Sequence, residues 1–293
     1  MPAWIMKVSR AILRLTLGTV FVGGALTVSA LLPSGCTPMV NRFAFYPAPS
    51  AVPGAASLPA GVRHVTYPTT DGETIEGYLV AATTRPERLV IYFHGNGGNI
   101  AHRVPELREI AARTGAAVLG SGYRGYGAST GSPSEAGIYR DGEGALRYAR
   151  ETLGFAPAQI VVLGRSLGST VATHLAAQGD DLAGVILVTP LSTGRDFGRA
   201  HMGPISVMAG GSLDSLGRAP SITEPVLVIH GDADEVIPYD HGLKLFAALP
   251  GPKRLVTIAR GHHNDLEFID PRTYWEATAQ FVTAPEKVRE ATR

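Results

Sequence analysis

The chain has 293 residues, of which 45% are hydrophobic, and its formal net charge is +1. A chain of this length can bury one large core or two small ones, and α/β folds often use such a length as a single domain. The near-balanced charge gives no electrostatic reason to expect a nucleic-acid partner, and the sequence contains neither zinc-type Cys/His spacing nor a long basic run.

The N-terminus has the pattern of an exported protein. Three basic residues, Lys7, Arg10 and Arg14, precede an uncharged apolar stretch at positions 15–32. This stretch is long for the core of a cleaved signal peptide and short for a bilayer-spanning helix, so both readings stay open. Positive charge ahead of the apolar stretch predicts that the rest of the chain leaves the cytoplasm. We therefore assign residues 1–36 to an apolar helix that is a signal peptide or a membrane anchor.

Cys36 is the only cysteine, and it follows the apolar stretch directly. Small residues precede it as in a bacterial lipoprotein cleavage site, which makes its thiol a candidate for lipidation. Pro33 departs from that pattern, because a leucine usually stands three residues before the cysteine and proline constrains the backbone there. An uncleaved anchor is the competing interpretation. Residues 37–60 are rich in Pro, Ala and Ser and are predicted to form a flexible tether.

From residue 61 the sequence alternates between apolar runs typical of buried strands and segments of helical periodicity. The predicted strands are Val62–Tyr67, Thr74–Ala81, Leu89–Phe93, Ala116–Leu119, Ile160–Leu163, Gly184–Val188, Pro225–Ile229 and Arg254–Ile258. The predicted helices lie at about 100–113, 134–153, 167–177, 239–249 and 264–282. The first two strands form an antiparallel hairpin, and the later alternation predicts an α/β fold with a doubly wound, mostly parallel sheet.

These elements define one predicted domain at residues 61–285, followed by a tail at 286–293. Residues 189–221 show no strong periodicity and are predicted to form a short lid. In an open parallel sheet, ligands bind at the carboxyl ends of the strands. We therefore looked for reactive side chains directly after each predicted strand.

The strand Ile160–Leu163 leads into Gly164-Arg165-Ser166-Leu167-Gly168 and then into an Ala-rich helix. A strand that reverses into a helix so abruptly forces unusual backbone angles on the central residue, and the two glycines allow close approach of neighbouring backbone. This is the pattern of a nucleophile elbow. It predicts that Ser166 is a nucleophile near a helix N-terminus, where developing negative charge is favoured.

A second match to G-x-S-x-G occurs at Gly127–Gly131, with Ser129 at its centre. No strand leads into this segment, and turn-forming residues lie on both sides of it. Context therefore favours Ser166 over Ser129.

A serine nucleophile needs an imidazole base, and the imidazole needs a carboxylate to orient it. Three acids, Asp232, Asp234 and Glu235, follow the strand Pro225–Ile229, and we favour Asp234 over Asp232 because Asp232 can satisfy N–H groups of the tight turn. The loop after the last strand offers His262 and His263 as the base. Since His230, Asp232 and Asp234 all lie in one tight loop, we predict no metal site there and no cofactor.

From Val62 to Val282 the sequence resembles α/β-hydrolase-fold serine hydrolases. Within them it is similar to the single-domain, membrane-tethered branch that includes bacterial exported members and the mammalian protein depalmitoylases. The segments that carry the resemblance are His94–Gly97, Tyr123–Ser129 with Pro133–Glu135, Gly164–Gly168, Gly231–Asp234 with Pro238, and His263–Asp265.

This sequence departs from the family at two positions. Gly122 stands where the family usually has an aspartate, and His262 stands where it has a glycine. The resemblance implies that His263 is the base and that His262 is the additional residue. His262 remains the alternative base, because many hydrolases place the base directly after a glycine, as in Gly261-His262.

An oxyanion hole needs two backbone N–H donors. One is expected from Leu167, the residue after the nucleophile, and the other from the loop after His94-Gly95, either Asn96 or, as the alternative, Gly97. We predict an enzyme that hydrolyses carboxylic esters or thioesters of a small or lipid-like acyl substrate, associated with a membrane through its N-terminus. A peptidase or amidase using the same triad and a catalytically silent binding protein on the same frame are the alternatives.

Overall fold

The structure is a computed structural model, and it describes residues 44–49, 58–82, 86–202 and 211–288. The predicted N-terminal helix, Cys36, most of the tether and positions 203–210 of the lid lie outside the described residues. None of the helices in these ranges has the length and hydrophobicity needed to cross a bilayer.

The described residues form β-strands and α-helices that alternate along most of the chain. The strands are β1 (Tyr46–Pro47), β2 (Val62–Pro68), β3 (Thr74–Val80), β4 (Leu89–Phe93), β5 (Gly97–Gly98), β6 (Ala117–Ser121), β7 (Ile160–Arg165), β8 (Gly184–Val188), β9 (Val226–Gly231) and β10 (Lys253–Ile258). The helices are α1 (Val104–Thr114), α2 (Glu135–Glu151), α3 (Gly168–Ala176), α4 (Gly194–Met202), α5 (Ser215–Arg218), α6 (Asp240–Ala248), α7 (Leu266–Ile269) and α8 (Pro271–Thr283). Short 3₁₀ turns lie at Ile100–Arg103, Pro157–Gln159 and Ala219–Ser221.

Eight of these strands form one sheet in the order β10-β9-β8-β7-β4-β6-β3-β2. β3 pairs antiparallel with β2 and β6. The remaining neighbours in this order, β6-β4-β7-β8-β9-β10, all pair in parallel. The α/β fold with a mostly parallel sheet is thus confirmed. β4, β7, β8 and β9 are buried along their whole length because helices cover both faces, which explains their continuous apolar sequences.

Two apolar cores lie on the two faces of the sheet. One includes side chains of α2, α3 and α6, and the other includes side chains of α1 and α8. Ser134 caps the start of α2, since its Oγ accepts a hydrogen bond from the Gly137 amide at 3.1 Å. The two cores fix β7 at the centre of the molecule and bring the carboxyl ends of β4, β7, β8, β9 and β10 to one edge.

The single helix predicted at 264–282 is wrong, because the structure divides it into α7 and α8. Pro271 lacks an amide proton and therefore begins a new helix rather than continuing the first. Asp270 caps that helix by accepting a hydrogen bond from the Thr273 amide at 3.0 Å. The predicted lid also has regular structure where it is described, in α4 and α5.

Part of the predicted tether is packed on the domain. Within residues 37–60, β1 pairs in parallel with β5, so that Tyr46 lies beside Gly97 and Pro47 beside Gly98. Phe45 is only 5% exposed and belongs to the core. The flexible-tether prediction is therefore wrong for residues 44–49, where an aromatic side chain finds an apolar site and the backbone finds partners.

Candidate active site

Ser166 lies between the end of β7 and the start of α3, with a backbone φ of +55°. A non-glycine residue rarely adopts this left-handed conformation, and it persists only where the surroundings enforce it. They do so here, because a side chain at Gly164 would collide with the backbone of Gly168, and one at Gly168 would collide with that of Phe93. The Ser166 amide is held by the Val188 carbonyl at 2.9 Å.

The structure brings Ser166, His263 and Asp234 together in a hydrogen-bonded line. His263 Nε2 lies 3.0 Å from Ser166 Oγ, and His263 Nδ1 lies 2.8 Å from Asp234 Oδ2. The three residues follow β7, β9 and β10, whose carboxyl ends lie at the same edge of the sheet. Asp234 and His263 are buried, which shields the line from water.

Asp234 accepts hydrogen bonds at both carboxylate oxygens. Oδ1 accepts from the amides of Val236 at 2.9 Å and Ile237 at 2.8 Å. Oδ2 lies 2.8 Å from His263 Nδ1 and 3.3 Å from Nε2 of the buried His230. Burial alone would raise the pKa of Asp234, but the hydrogen bonds from His230 and His263 hold that pKa well below its usual range. This carboxylate therefore stays ionised beside the imidazole.

The alternatives for acid and base lie apart from Ser166. Asp232 Oδ1 accepts a hydrogen bond from the Arg260 amide at 2.6 Å, which is a turn contact. His262 is exposed, and its Nδ1 lies 3.0 Å from Glu235 Oε2, a hydrogen bond that raises the pKa of this imidazole. Within the described parts of the chain, no group of three or more His, Cys, Asp or Glu residues is arranged to hold a metal ion.

Ser129, the centre of the second G-x-S-x-G segment, belongs to a turn. Its Oγ accepts a hydrogen bond from the Glu76 amide at 2.9 Å, and its own amide donates to the Tyr126 carbonyl at 2.9 Å. Among the described residues, no base contacts its hydroxyl. Ser129 therefore joins the turn to β3 rather than facing the triad.

The loop that follows β4 lies against Ser166. A Cβ built on Gly95 would be 3.4 Å from Ser166 Cβ and 3.8 Å from Ser166 Oγ. The backbone amides of Asn96 and Leu167 donate no hydrogen bond to any described residue. Both amides are thus available to an oxygen atom on an acyl group bound at Ser166.

Arg165 has a role that was not predicted from the sequence, because its guanidinium connects the elbow to the histidine loop. Its Nη1 lies 3.0 Å from Glu267 Oε1 and 3.3 Å from Glu106 Oε1. Its Nη2 donates to the backbone carbonyl of His263 at 3.4 Å. Burial opposes the charge, but the two carboxylates raise the pKa of Arg165 above its usual value. The only sequence signal was a cation at the end of a buried apolar strand, which requires partners.

Comparisons with known proteins agree with this architecture. A family model described as the alpha/beta hydrolase fold matches residues 88–204. An uncharacterised protein of Mycobacterium tuberculosis is 33% identical over 264 residues, which cover 87% of this chain and 93% of that protein. Human alpha/beta hydrolase domain-containing protein 17B is 30% identical over 215 residues and is matched over 73% of each chain.

Among solved structures, an esterase of Pyrococcus furiosus superposes with a TM-score of 0.68 at 17% identity. The match covers 81% of this chain and 97% of the esterase. At this identity the likeness describes the fold alone, whereas the human and mycobacterial relatives are similar in sequence over most of their length. The chain belongs to the alpha/beta hydrolase family.

Proposed function

We propose that this protein is a serine hydrolase that cleaves carboxylic esters or thioesters through an acyl-enzyme on Ser166. The observation that carries the proposal is the line of two hydrogen bonds from Ser166 through His263 to Asp234, at 3.0 and 2.8 Å. A serine hydroxyl is a weak nucleophile at neutral pH unless a base accepts its proton as it attacks. Here the base is in place, and a buried carboxylate fixes its orientation.

In the first half of the reaction, Ser166 Oγ forms a bond to the acyl carbon while its proton passes to His263 Nε2. The tetrahedral intermediate then collapses, the bond to the leaving group breaks, and His263 Nε2 gives the proton to the departing alcohol or thiol. In the second half, His263 takes a proton from water as the water oxygen attacks the acyl carbon. Collapse releases the acid, and the proton returns to Ser166 Oγ.

Negative charge develops on the acyl oxygen in both halves of the reaction. We assign its stabilisation to the free amides of Asn96 and Leu167, with Gly97 as the alternative to Asn96. The N-terminus of α3 lies directly behind Ser166 and adds a favourable dipole. Such donors commonly contribute a factor of about 10² to 10³ each in turnover.

The test compares two serines that both occupy a G-x-S-x-G segment. Ser166→Ala should abolish hydrolysis of p-nitrophenyl esters and labelling by a fluorophosphonate probe, whereas Ser129→Ala should keep most of both. The reverse result would mean that the nucleophile has been assigned to the wrong segment. A folded wild-type protein that resists the probe would favour the silent binding protein, and faster cleavage of a peptide panel than of esters would favour the peptidase.

We also propose that the hydrolase works on the exported side of a membrane and acts on a lipid-like acyl substrate. The basic and apolar pattern of residues 1–36 supports export, and the position of Cys36 supports a lipid anchor. Intact-mass measurement of protein extracted from membranes tests this. A mature chain that begins at an acylated Cys36 supports the lipid anchor, and a full-length chain supports an uncleaved anchor. A full-length protein found only in the cytoplasm would contradict both.

A further inference from the structure

The loop between β4 and the 3₁₀ turn at Ile100–Arg103 has an unusual pattern of hydrogen bonds. Five consecutive carbonyl oxygens, those of residues His94 to Gly98, each accept at least one hydrogen bond. The donors are Tyr123 Oη to His94 O at 2.7 Å, His94 Nδ1 to Gly95 O at 2.6 Å, Tyr126 Oη to Asn96 O at 2.8 Å, Arg103 Nη2 to Gly97 O at 3.1 Å, and the Ala48 amide to Gly98 O at 3.0 Å.

In a trans peptide the N–H group points away from the preceding carbonyl, and the structure contains no cis peptide bond among its described residues. Fixing a carbonyl therefore fixes the direction of the next amide. The bond from His94 Nδ1 to Gly95 O sets the Asn96 amide, and the bonds to Asn96 O set the Gly97 amide. These two amides are the candidate oxyanion donors of the loop.

Residues 44–49, which we call the strap, supply two of the bonds that hold this loop. The Tyr46 amide donates to Asn96 O at 3.1 Å, and the Ala48 amide donates to Gly98 O. Tyr126 connects the two segments, since its hydroxyl accepts from the Tyr46 amide at 3.1 Å and donates to Asn96 O at 2.8 Å. The strap therefore contacts Asn96 O, which sets the direction of the Gly97 amide, and Gly98 O near the end of the loop, while the Asn96 amide is set by the bond from His94 Nδ1 to Gly95 O.

The strap is itself fastened to the domain. Phe45 is buried in the core, and the Ala48 carbonyl accepts from the Gly127 amide at 3.1 Å and from Asn99 Nδ2 at 3.3 Å. Asn99 Nδ2 also lies 3.4 Å from the Pro49 carbonyl. Asn99 is buried, and its Oδ1 accepts from the His102 amide at 3.2 Å, so the same side chain fastens the strap and caps the turn that ends the loop.

We propose that the strap is a positioning element of the active site, which holds the loop after β4 so that its amides face the acyl oxygen at Ser166. This inference rests on the proposed serine-hydrolase function. Since the strap touches neither Ser166 nor His263 in the described contacts, its loss should weaken stabilisation of the tetrahedral intermediate without removing the nucleophile or the base. Binding of substrate in the ground state should change little.

Ala48→Pro in the full-length chain tests the proposal. It removes the amide proton that is donated to Gly98 O, and its neighbours Pro47 and Pro49 already favour an extended backbone there. The matched control is Ala60→Pro. Ala60 is exposed, and it precedes Gly61 (φ +77°) in a turn closed by the Val62 amide and the Pro59 carbonyl at 3.0 Å, a position that accepts proline.

Two measurements separate positioning from general destabilisation. With p-nitrophenyl acetate, Ala48→Pro should lower kcat by about tenfold to a hundredfold and leave KM within about twofold. Displacing a donor that stabilises the transition state commonly lowers turnover by a factor of about this size. The inhibition constant of a trifluoromethyl ketone, whose adduct with Ser166 carries an oxyanion, should rise by the same factor as kcat/KM falls. Ala60→Pro should match the wild type in both measurements.

Tyr126→Phe is the second variant, in case Ala48→Pro fails to fold. It keeps the ring and removes the hydroxyl that joins the Tyr46 amide to Asn96 O, so the same losses are expected. If either variant folds with a wild-type melting temperature, kcat and inhibition constant, the strap has no positioning role and the inference is overturned. If the wild-type protein neither hydrolyses esters nor reacts with a fluorophosphonate at Ser166, the proposed function fails and the inference fails with it.

Discussion

Replacing Arg165 with glutamine tests whether the elbow and the histidine loop are held together by charge. The guanidinium lies 3.0 Å from Glu267 and 3.3 Å from Glu106, and it donates to the carbonyl of His263 at 3.4 Å. The side chains of Arg165, Glu106 and Glu267 are 10, 20 and 15% exposed. Arg165→Gln would leave two mostly buried carboxylates without a cation and would release one anchor of the base.

The expected loss of stability follows from this burial. Removing one partner of a buried ion pair costs about 3–5 kcal/mol, and since water still reaches these groups we expect about 3 kcal/mol. In a domain of this size that corresponds to a fall in melting temperature of about 6–12 °C. The control is Arg150→Gln, because Arg150 is 47% exposed and lies 3.4 Å from Asp180. An exposed pair contributes about 0–1 kcal/mol, so its melting temperature should fall by no more than about 4 °C.

A second substitution distinguishes uncompensated charge from lost packing. Glu267→Gln added to Arg165→Gln should recover part of the melting temperature, because it removes one of the stranded carboxylates. The value of kcat for ester hydrolysis should stay about tenfold or more below wild type in both variants, since neither restores the bond to the His263 carbonyl. Thermal unfolding and ester kinetics on the same preparations provide both numbers. If Arg165→Gln has the same melting temperature as Arg150→Gln and keeps the wild-type kcat, the guanidinium does not stabilise the contact between the elbow and the histidine loop.

Two further predictions concern histidines. His263→Ala should lower kcat/KM for esters by about 10⁴ or more, whereas His262→Ala should have a mild effect, because only His263 lies against Ser166 and Asp234. If His262→Ala is instead the inactive enzyme, the base is one residue earlier in the chain. Burial lowers the pKa of His94 to about 3 and that of His241 to about 4, so both stay neutral in the fold and take up a proton on unfolding. Their contribution is complete above about pH 6.5 and is lost as the pH falls towards those values, which by itself lowers the free energy of unfolding by about 3–4 kcal/mol between pH 7 and pH 5. Burial raises the pKa of Asp141 to about 6, and this opposite shift offsets about 1 kcal/mol of that loss. Urea denaturation at both pH values measures the net drop, and His241→Asn should reduce it by about 2 kcal/mol; an unchanged drop would contradict the assignment.

The sheet was predictable from the sequence because its inner strands are buried on both faces. Such strands require continuous apolar runs, and β4 and β8 have the predicted bounds, Leu89–Phe93 and Gly184–Val188. The elbow was predictable for a similar reason, since only glycine fits at Gly164 and Gly168 beside the backbone that approaches them. The proximity of Ser166, Asp234 and His263 was predictable because each follows a recognisable strand whose carboxyl end lies at the same edge of the sheet.

Features that depend on contacts between distant parts of the chain could not be predicted. The partners of Arg165 are 59 and 102 residues away from it in sequence, so its charge was visible while its role was not. Residues 44–49 have the composition of a tether, and their binding depends on the distant loop after β4, on Gly127 and on the apolar site that Phe45 occupies. The break between α7 and α8 is different. Pro271 indicated a helix start there, but the helical periodicity of the surrounding residues continues across it and favoured a single helix.

The chain order of Ser166, Asp234 and His263 has a consequence for when the proposed site is assembled during folding. Ser166 follows a central strand, but Asp234 and His263 follow β9 and β10, the last two strands to leave the ribosome. Those strands must pair in parallel with a part of the sheet made much earlier, and contacts of such long sequence separation form slowly. A partly synthesised or partly folded chain therefore contains Ser166 without His263, the proposed base, beside it. Recovery of ester hydrolysis during refolding should then follow completion of the C-terminal edge of the sheet rather than the first collapse of its centre.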